Sequence, residues 1–301
     1  MNILITGANG QLGNEMRVLS ADNGQHRWFF TDVAELDITD REAIRSFVRN
    51  NCIGAIVNCA AYTNVDRAEQ DEHTAFLINA TAAENLAVVA AEAKAKLVHI
   101  STDYVFDGNS CIPYKEDDTP NPLTAYGRTK LAGERLVHAA CPWAVIIRTA
   151  WLYSSFGNNF VKTMLRLGKE RDSLSVVYDQ IGTPTYAADL ARAIMVVIDS
   201  NLQHLEPLEP FEPLEPPLNL FHFTNLGVCS WYDFALEIHR LAGVVCDVKP
   251  IRSEQYVYKT PRPHYSVLDK QRIQASFAIR IPHWTESLAA CIRLLEEQVA
   301  V

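Results

Sequence analysis

Asn2-Ile3-Leu4-Ile5-Thr6-Gly7-Ala8-Asn9-Gly10-Gln11-Leu12-Gly13 decides how this chain folds. The short apolar run over 2–6 predicts a buried strand. Gly7, Gly10 and Gly13 then form a G-x-x-G-x-x-G turn, one residue wider at its first interval than the G-x-G-x-x-G form. A helix is predicted from about Gln11 to Ser20. Glycines in such a turn allow a sharp bend and a close approach of ligand to backbone, while the helix start offers unpaired N–H groups and the positive end of its dipole. Strand, glycine turn and helix together point to a dinucleotide pyrophosphate. Asp32, 19 residues beyond Gly13 and at the end of a second predicted strand over 27–31, can accept both hydroxyls of an adenine ribose. It would repel a 2′-phosphate, and no arginine follows closely. That leans toward NADH, or toward tolerance of NADH and NADPH alike.

Outward from this turn the chain alternates strands and helices. Thr39-Asp40-Arg41-Glu42 opens a helix, with Thr39 or Asp40 placed to cap it. Further strands are predicted over 53–58, 96–101 and 144–148, with helices over about 73–95 and 124–140 and a loop rich in Asp, Gly and Pro over 103–123. Such alternation predicts parallel pairing with right-handed crossovers, hence a Rossmann-type, doubly wound α/β sheet that binds ligands beyond its strands' carboxyl ends. Gly7, Asn58, Ser101 to Asp103 and Thr149 to Trp151 all fall at or just past strand ends, on one edge. Residues 1–155 are expected to form the dinucleotide-binding domain. Residues 156–301 are expected to supply mainly a smaller substrate-binding region, with helices over 160–167, 187–198, 231–241 and 287–297. Strands near 175–178 and 220–224 return to the main sheet in this reading.

Composition narrows the function. The 301 residues are 48% hydrophobic, enough for a sizeable core, and no apolar run approaches the ~20 residues of a membrane span. The first residues lack a basic segment and read as a strand, not a signal peptide. A net charge of −9 with no basic block argues against a nucleic-acid partner. The seven cysteines are scattered and form no C-x-x-C, which fits free thiols in a reducing cytoplasm. The nine histidines show no metal-ligand spacing, so no metal site is expected. Leu205 to Pro217 (LEPLEPFEPLEPP) repeats glutamate every three residues. In polyproline II this aligns Glu206, Glu209, Glu212 and Glu215 in one stripe, the reading being a stiff acidic surface insertion.

Chemistry concentrates in Tyr126-Gly127-Arg128-Thr129-Lys130. A tyrosine and a lysine four residues apart share a helix face, so an ammonium can sit under the phenol and favour its ionised form. With the glycine turn, this suggests a nicotinamide-dependent carbonyl reductase or alcohol dehydrogenase. A hydroxyl in Ser101-Thr102-Asp103, facing Tyr126, could donate to a substrate carbonyl, and Asp103 either binds a sugar hydroxyl or caps the turn. Trp151 either stacks on a ligand ring or is buried. In Asn58-Cys59-Ala60-Ala61-Tyr62, small residues admit a flat ligand or serve close helix–strand packing. Asp37 and Ile38 either lie along an adenine ring or support the following helix.

These pieces resemble the extended short-chain dehydrogenase/reductase family, and within it a branch that reduces 4-keto nucleotide sugars. The resemblance runs in order along nearly the whole chain: ITGANGQLG (5–13), NCAAYTNVDRAE (58–69), ISTDYVFDG (100–108), TAYGRTKLAGE (124–134), IRTAWLYSSFGNNFVKTML (147–165), DQIGTPTYAADLA (179–191) and RPHYSVLD (262–269). It implies reduction of dTDP-4-dehydro-β-L-rhamnose to dTDP-L-rhamnose with NADPH or NADH, in the supply of rhamnose for cell-surface polysaccharide. It implies that Tyr126 donates the proton, with Lys130 and Thr102 beside it, and that Asp103 and Trp151 contact the sugar. Cofactor positions carried over are Gly10, Gln11, Leu12, Asp32, Asp37, Ile38, Ala61, Tyr62 and Thr63, together with Gly7, Gly13, Ala60, Tyr126 and Lys130 of the same motifs. The Leu-Glu-Pro insertion departs from the shared pattern. Some relatives bridge homodimers through magnesium held by glutamates. Glu15 fits one such position but Leu190 and its neighbours supply no glutamate, which argues against that bridge while leaving a homodimer open. Two rival functions remain at this point. One is a non-catalytic regulatory subunit like that of methionine adenosyltransferase, recognised by co-purification without turnover. The other is a different nucleotide-sugar 4-ketoreductase or an epimerase, the latter retaining its cofactor.

Overall fold

The computed structural model describes residues 1–200, 219–257 and 259–299; the Leu-Glu-Pro repeat over 205–217 lies outside them. Strands β1 (Asn2–Thr6), β2 (Arg27–Thr31), β3 (Ile53–Asn58), β4 (Lys96–Thr102) and β5 (Val145–Thr149) form one sheet with a short strand at Leu220–His222. The order across it is Leu220–His222, β5, β4, β3, β1, β2, and every neighbouring pair is parallel. The strands run apolar almost throughout because both faces are covered. Ile3 and Ile5 of β1 point into one layer, with Val57, Val98, Ile147 and Phe221, under the helices Gln11–Ala21, Ala187–Asp199 and Gln271–Phe277. Leu4 points the other way, with Ile56, Leu97 and Ile146, under the helices Arg41–Asn50, Ala82–Ala93 and Ala125–Ala140. This is the doubly wound arrangement expected from the alternation.

Three local readings change, and one left open is settled. The strand expected near 175–178 spans Ser173–Val177 and pairs with Asp247–Ile251, apart from the main sheet. Its exposed Ser173 and Ser175 alternate with buried Leu174 and Val176, a half-wet pattern that a twice-covered parallel sheet does not accept. The helix expected over 73–95 begins at Glu72 and is broken by a π turn at Leu77–Thr81, which no sequence period marks. By length and composition the run Glu72–Ala93 also qualifies as a membrane span, contrary to the reading of the sequence. More than half of it is buried against the rest of the protein, as in a core helix. Asp40, not Thr39, caps the helix Arg41–Asn50, accepting from the N–H groups of Glu42 and Ala43.

A third apolar cluster lies between the helices Phe160–Glu170, Trp231–Leu241 and Trp284–Val299, around Tyr153, Val161, Phe234, Ile238 and Leu288. Chain from the second half thus covers the carboxyl edge of the sheet, where β1, β4 and β5 deliver their following loops.

Candidate active site

The glycine turn is built for close approach. Gly7 adopts φ +64°, and a Cβ there would stand 2.7 Å from the backbone of Ala60. A Cβ on Gly13 would stand 2.5 Å from Ala8 Cα, so the helix Gln11–Ala21 can start only where it does if residue 13 lacks a side chain. That helix has no side-chain cap, leaving its first N–H groups for another acceptor. Asp32 ends the turn from the β2 side: its carboxylate accepts from the N–H of Asn9 at 3.0 Å and of Val33 at 2.9 Å. Gln11 ties the turn to the far side of the cleft, accepting from the Asn159 amide at 2.9 Å.

Other expected cofactor positions divide. Ala60 lies against Gly7, and the backbone of Tyr62 is held from both sides by the Asn79 amide, at 2.8 and 3.1 Å. Ala61 is half-buried and Thr63 exposed beside them. The side chains of Leu12 and Ile38 face the two core layers, so only their backbone is available to a ligand. Asp37 is exposed and accepts from the hydroxyl and N–H of Thr39, which hold its carboxyl below the usual range. In the resting protein it therefore braces the loop before the helix Arg41–Asn50.

Across the edge, Thr124 caps the helix Ala125–Ala140 and fixes its first turn. Tyr126, Lys130 and Glu134 follow at intervals of four on the buried face. Glu134 anchors the row with two bonds from the Arg148 guanidinium, at 2.9 and 2.7 Å, and one from the Ser101 hydroxyl. Thr102 ends β4 opposite Thr149 of β5 and donates to Asp103 Oδ1 at 3.0 Å. Asp103 Oδ2 finds no well-placed hydrogen bond among the described residues, although the Ser266 hydroxyl lies against the carboxylate. Burial pushes the Asp103 carboxyl up to about 7, against the opposing bond from Thr102. Thr102, Asp103, Tyr126 and Lys130 thus come together at one strand end.

The expected partnership of Tyr126 with Lys130 takes a different form. Burial pushes the phenol up to about 12; the contact with Thr102 opposes this and the Asp103 charge adds to it. Lys130 instead donates to the Ile100 carbonyl at 2.6 Å and lies 3.4 Å from His99 Nε2. The resting protein therefore holds Tyr126 as a neutral phenol, because removing a phenolate from water outweighs any help from the lysine.

Trp151 closes one side with φ +48°, a strained value for a bulky residue. Its ring stacks on Trp231, with centroids 3.5 Å apart and planes at 11°, and it fills the space a Cβ on Gly182 would take. Arg262 closes the opposite side, paired with Asp66 at 3.0 Å and lying against Tyr104. Reading the residues did not find Asn79, His99 or Trp231. Asn79 sits in the unmarked π turn, and the other two act through partners far away in sequence. Glu134 was findable, since it continues the four-residue spacing from Tyr126 and Lys130. Glu15 is buried and bonded by the Ser154 hydroxyl, and Leu190 is packed in the core.

Comparison with known proteins adds to this geometry. The sequence profile of the RmlD substrate binding domain family matches residues 1–297. The chain is 40% identical, over 292 residues, to the dTDP-4-dehydrorhamnose reductase of Aggregatibacter actinomycetemcomitans, covering 95% of this chain and 96% of that protein. Its structure superposes on a dTDP-4-dehydrorhamnose reductase from Clostridium acetobutylicum with a TM-score of 0.90, at 44% identity, covering 98% and 100% of the two chains. A dTDP-4-dehydrorhamnose reductase from Bacillus anthracis, solved in complex with NADP, superposes with a TM-score of 0.88 at 38% identity, covering 97% and 99%.

Proposed function

The chain belongs to the RmlD substrate binding domain family, and from that premise we propose the working of its site: it is a dTDP-4-dehydrorhamnose reductase, reducing the sugar C4 ketone of dTDP-4-dehydro-β-L-rhamnose to give dTDP-L-rhamnose for polysaccharide synthesis. The observation that carries this reading is the meeting of a buried, protonated Tyr126 with Thr102 and Asp103, on the same sheet edge as an uncapped glycine turn.

The residues present fit a nicotinamide dinucleotide. Gly7 and Gly13 leave no room for Cβ atoms and keep the backbone low, while the start of the helix Gln11–Ala21 offers N–H groups to a pyrophosphate. Asp32 is placed for the adenine ribose, with Ala60, Ala61, Tyr62 and Thr63 along the next turn. NADPH or NADH bound there supplies the hydride. Tyr126 contributes the proton, its O–H breaking as the ketone oxygen takes up hydrogen and the carbonyl becomes a secondary alcohol. Thr102 directs its hydroxyl to the same oxygen and so stabilises the negative charge that develops there. Asp103 and Trp151 hold the sugar. Lys130 holds the nicotinamide ribose and balances the tyrosinate left behind. We place the reaction in the cytoplasm, where nucleotide sugars and reduced cofactor are available and where seven unpaired cysteines stay reduced.

The test is consumption of NADPH and NADH at 340 nm with dTDP-4-dehydro-β-L-rhamnose, generated in place by the upstream enzymes, with the product identified by NMR. Formation of dTDP-L-rhamnose is the expected result. Cofactor binding without turnover would overturn the reading.

A further inference from the structure

Thr6, Asn58 and His99 are buried and form a chain beneath the sheet edge that ends at Lys130. Asn58 can face only one way. Its Oδ1 accepts from the Ala60 N–H at 3.1 Å and from the Thr6 hydroxyl at 2.8 Å, so its Nδ2 is the group that meets His99 Nδ1 at 3.0 Å. An imidazole that accepts at Nδ1 and is neutral carries its hydrogen on Nε2. His99 is neutral, because burial holds its pKa well below the ordinary value and the Lys130 charge adds to the effect. Its Nε2–H is therefore turned toward Lys130 Nζ, 3.4 Å away, while Nζ itself donates to Ile100 at 2.6 Å. An ammonium has no lone pair for that N–H, whereas an amine does.

We propose that Thr6, Asn58 and His99 form a tautomer lock that presents a hydrogen, not a lone pair, to Lys130, and that His99 is thereby a positioning residue setting the pH range in which Lys130 is charged beside Tyr126. The proposal rests on Lys130 serving the reductase site described above. Of the other groups around Lys130, Glu134 on its own helix favours the ammonium but is taken up by Arg148 of β5 and Ser101 of β4. Tyr126 on that helix is neutral, β4 supplies only His99 and the Ile100 carbonyl, and β3 carries no charged residue. Burial pushes Lys130 down to about 8, the same direction as the lock.

Nitrogen-15 NMR of histidine-labelled protein reads the tautomer directly, and carbon-13 NMR of labelled lysine reads the Lys130 titration; neither needs turnover. In the wild-type protein His99 is expected with Nε2 protonated and Nδ1 bare through neutrality. Asn58→Asp keeps the acceptor for Ala60 and Thr6, and once ionised its carboxylate can only accept from His99. The imidazole must then protonate Nδ1 and offer its Nε2 lone pair to the ammonium. The Lys130 midpoint is expected to rise by about one pH unit or more, tenfold in its dissociation constant. The alkaline limb of kcat/KM should move with it. Asn58→Asp combined with His99→Phe retains the new charge without the imidazole, and less than half of the rise is expected. A wild-type His99 protonated at Nδ1, an equal rise in the single and double variants, or an alkaline limb that stays fixed while Lys130 shifts would each overturn the proposal. If Asn58→Asp does not fold, the wild-type tautomer decides alone. Absence of wild-type turnover with the sugar substrate would instead sink the functional reading and leave the lock to be judged by NMR.

Discussion

Replacing Asp103 by asparagine tests whether the site holds a protonated carboxyl. Burial raises its pKa from 3.8 to about 7 against the opposing hydrogen bond from Thr102, so the folded protein binds this proton more tightly than the unfolded chain does. The sign follows: the stabilisation is complete below pH 3.8 and is lost as pH rises through about 7. At about 1.4 kcal/mol per pH unit the whole effect is about 4 kcal/mol, of which about 3 kcal/mol falls between pH 5 and pH 8. Asp103→Asn removes the titrating group. Its altered hydrogen bonds shift stability by an amount independent of pH, so the pH dependence of the difference between the two proteins isolates the carboxyl. Urea unfolding followed by tryptophan fluorescence at pH 5 and pH 8 measures this. Wild type minus variant should fall by about 3 kcal/mol over that interval. A difference constant to within about 0.5 kcal/mol would mean that water or a neighbour already satisfies the ionised carboxylate, and the argument from burial would fail.

Tyr126→Phe should lower turnover ~10²-fold or more while leaving NADPH affinity, read by fluorescence titration, near wild type; retained turnover would remove the phenol from the reaction. Gly13→Ala forces a Cβ to within 2.5 Å of Ala8 Cα and should cost about 1–3 kcal/mol of stability, with loss of NADPH binding. Unchanged melting and binding would show that the turn can open without cost. Glu134→Gln leaves the buried Arg148 guanidinium without a counter-charge and should destabilise by about 3–5 kcal/mol in urea titrations. A loss below about 1 kcal/mol would mean that Arg148 finds another acceptor.

Most of the sheet was legible because its signals are local. β1 to β3 are short apolar runs closed by a glycine, an aspartate or an asparagine, and each was read with its bounds as found. Convergence of Gly7, Asn58, Thr102 and Trp151 on one edge followed from parallel pairing alone. The π turn was not legible, since its extra residue leaves composition and period unchanged, and with it went Asn79. The pairing of Ser173–Val177 with Asp247–Ile251 joins residues some seventy positions apart, and a register of that kind is decided by packing. Trp151 showed the same limit: the sequence allowed a buried or a ligand-facing ring, and the stack on Trp231 depends on a helix placed eighty residues later.

The one chemical inference that burial reversed concerns Tyr126 and Lys130. Spacing alone puts the ammonium under the phenol and makes a tyrosinate. In the folded protein both groups are buried, and burial opposes charge on each: the phenol is pushed up to about 12 and the lysine down to about 8. A reductase needs this order of affinities more than the reverse. On the proposed role of Tyr126 as proton donor, the first requirement is a proton present when the ketone arrives, and a phenol held well above neutrality meets it at every working pH. The lysine charge becomes useful only afterwards, when a tyrosinate exists to be balanced. A phenol that stays neutral until the reaction creates charge avoids a standing desolvation penalty, while a lysine pushed down only to about 8 still carries its charge at neutral pH, so the two residues form a consistent pair in the fold.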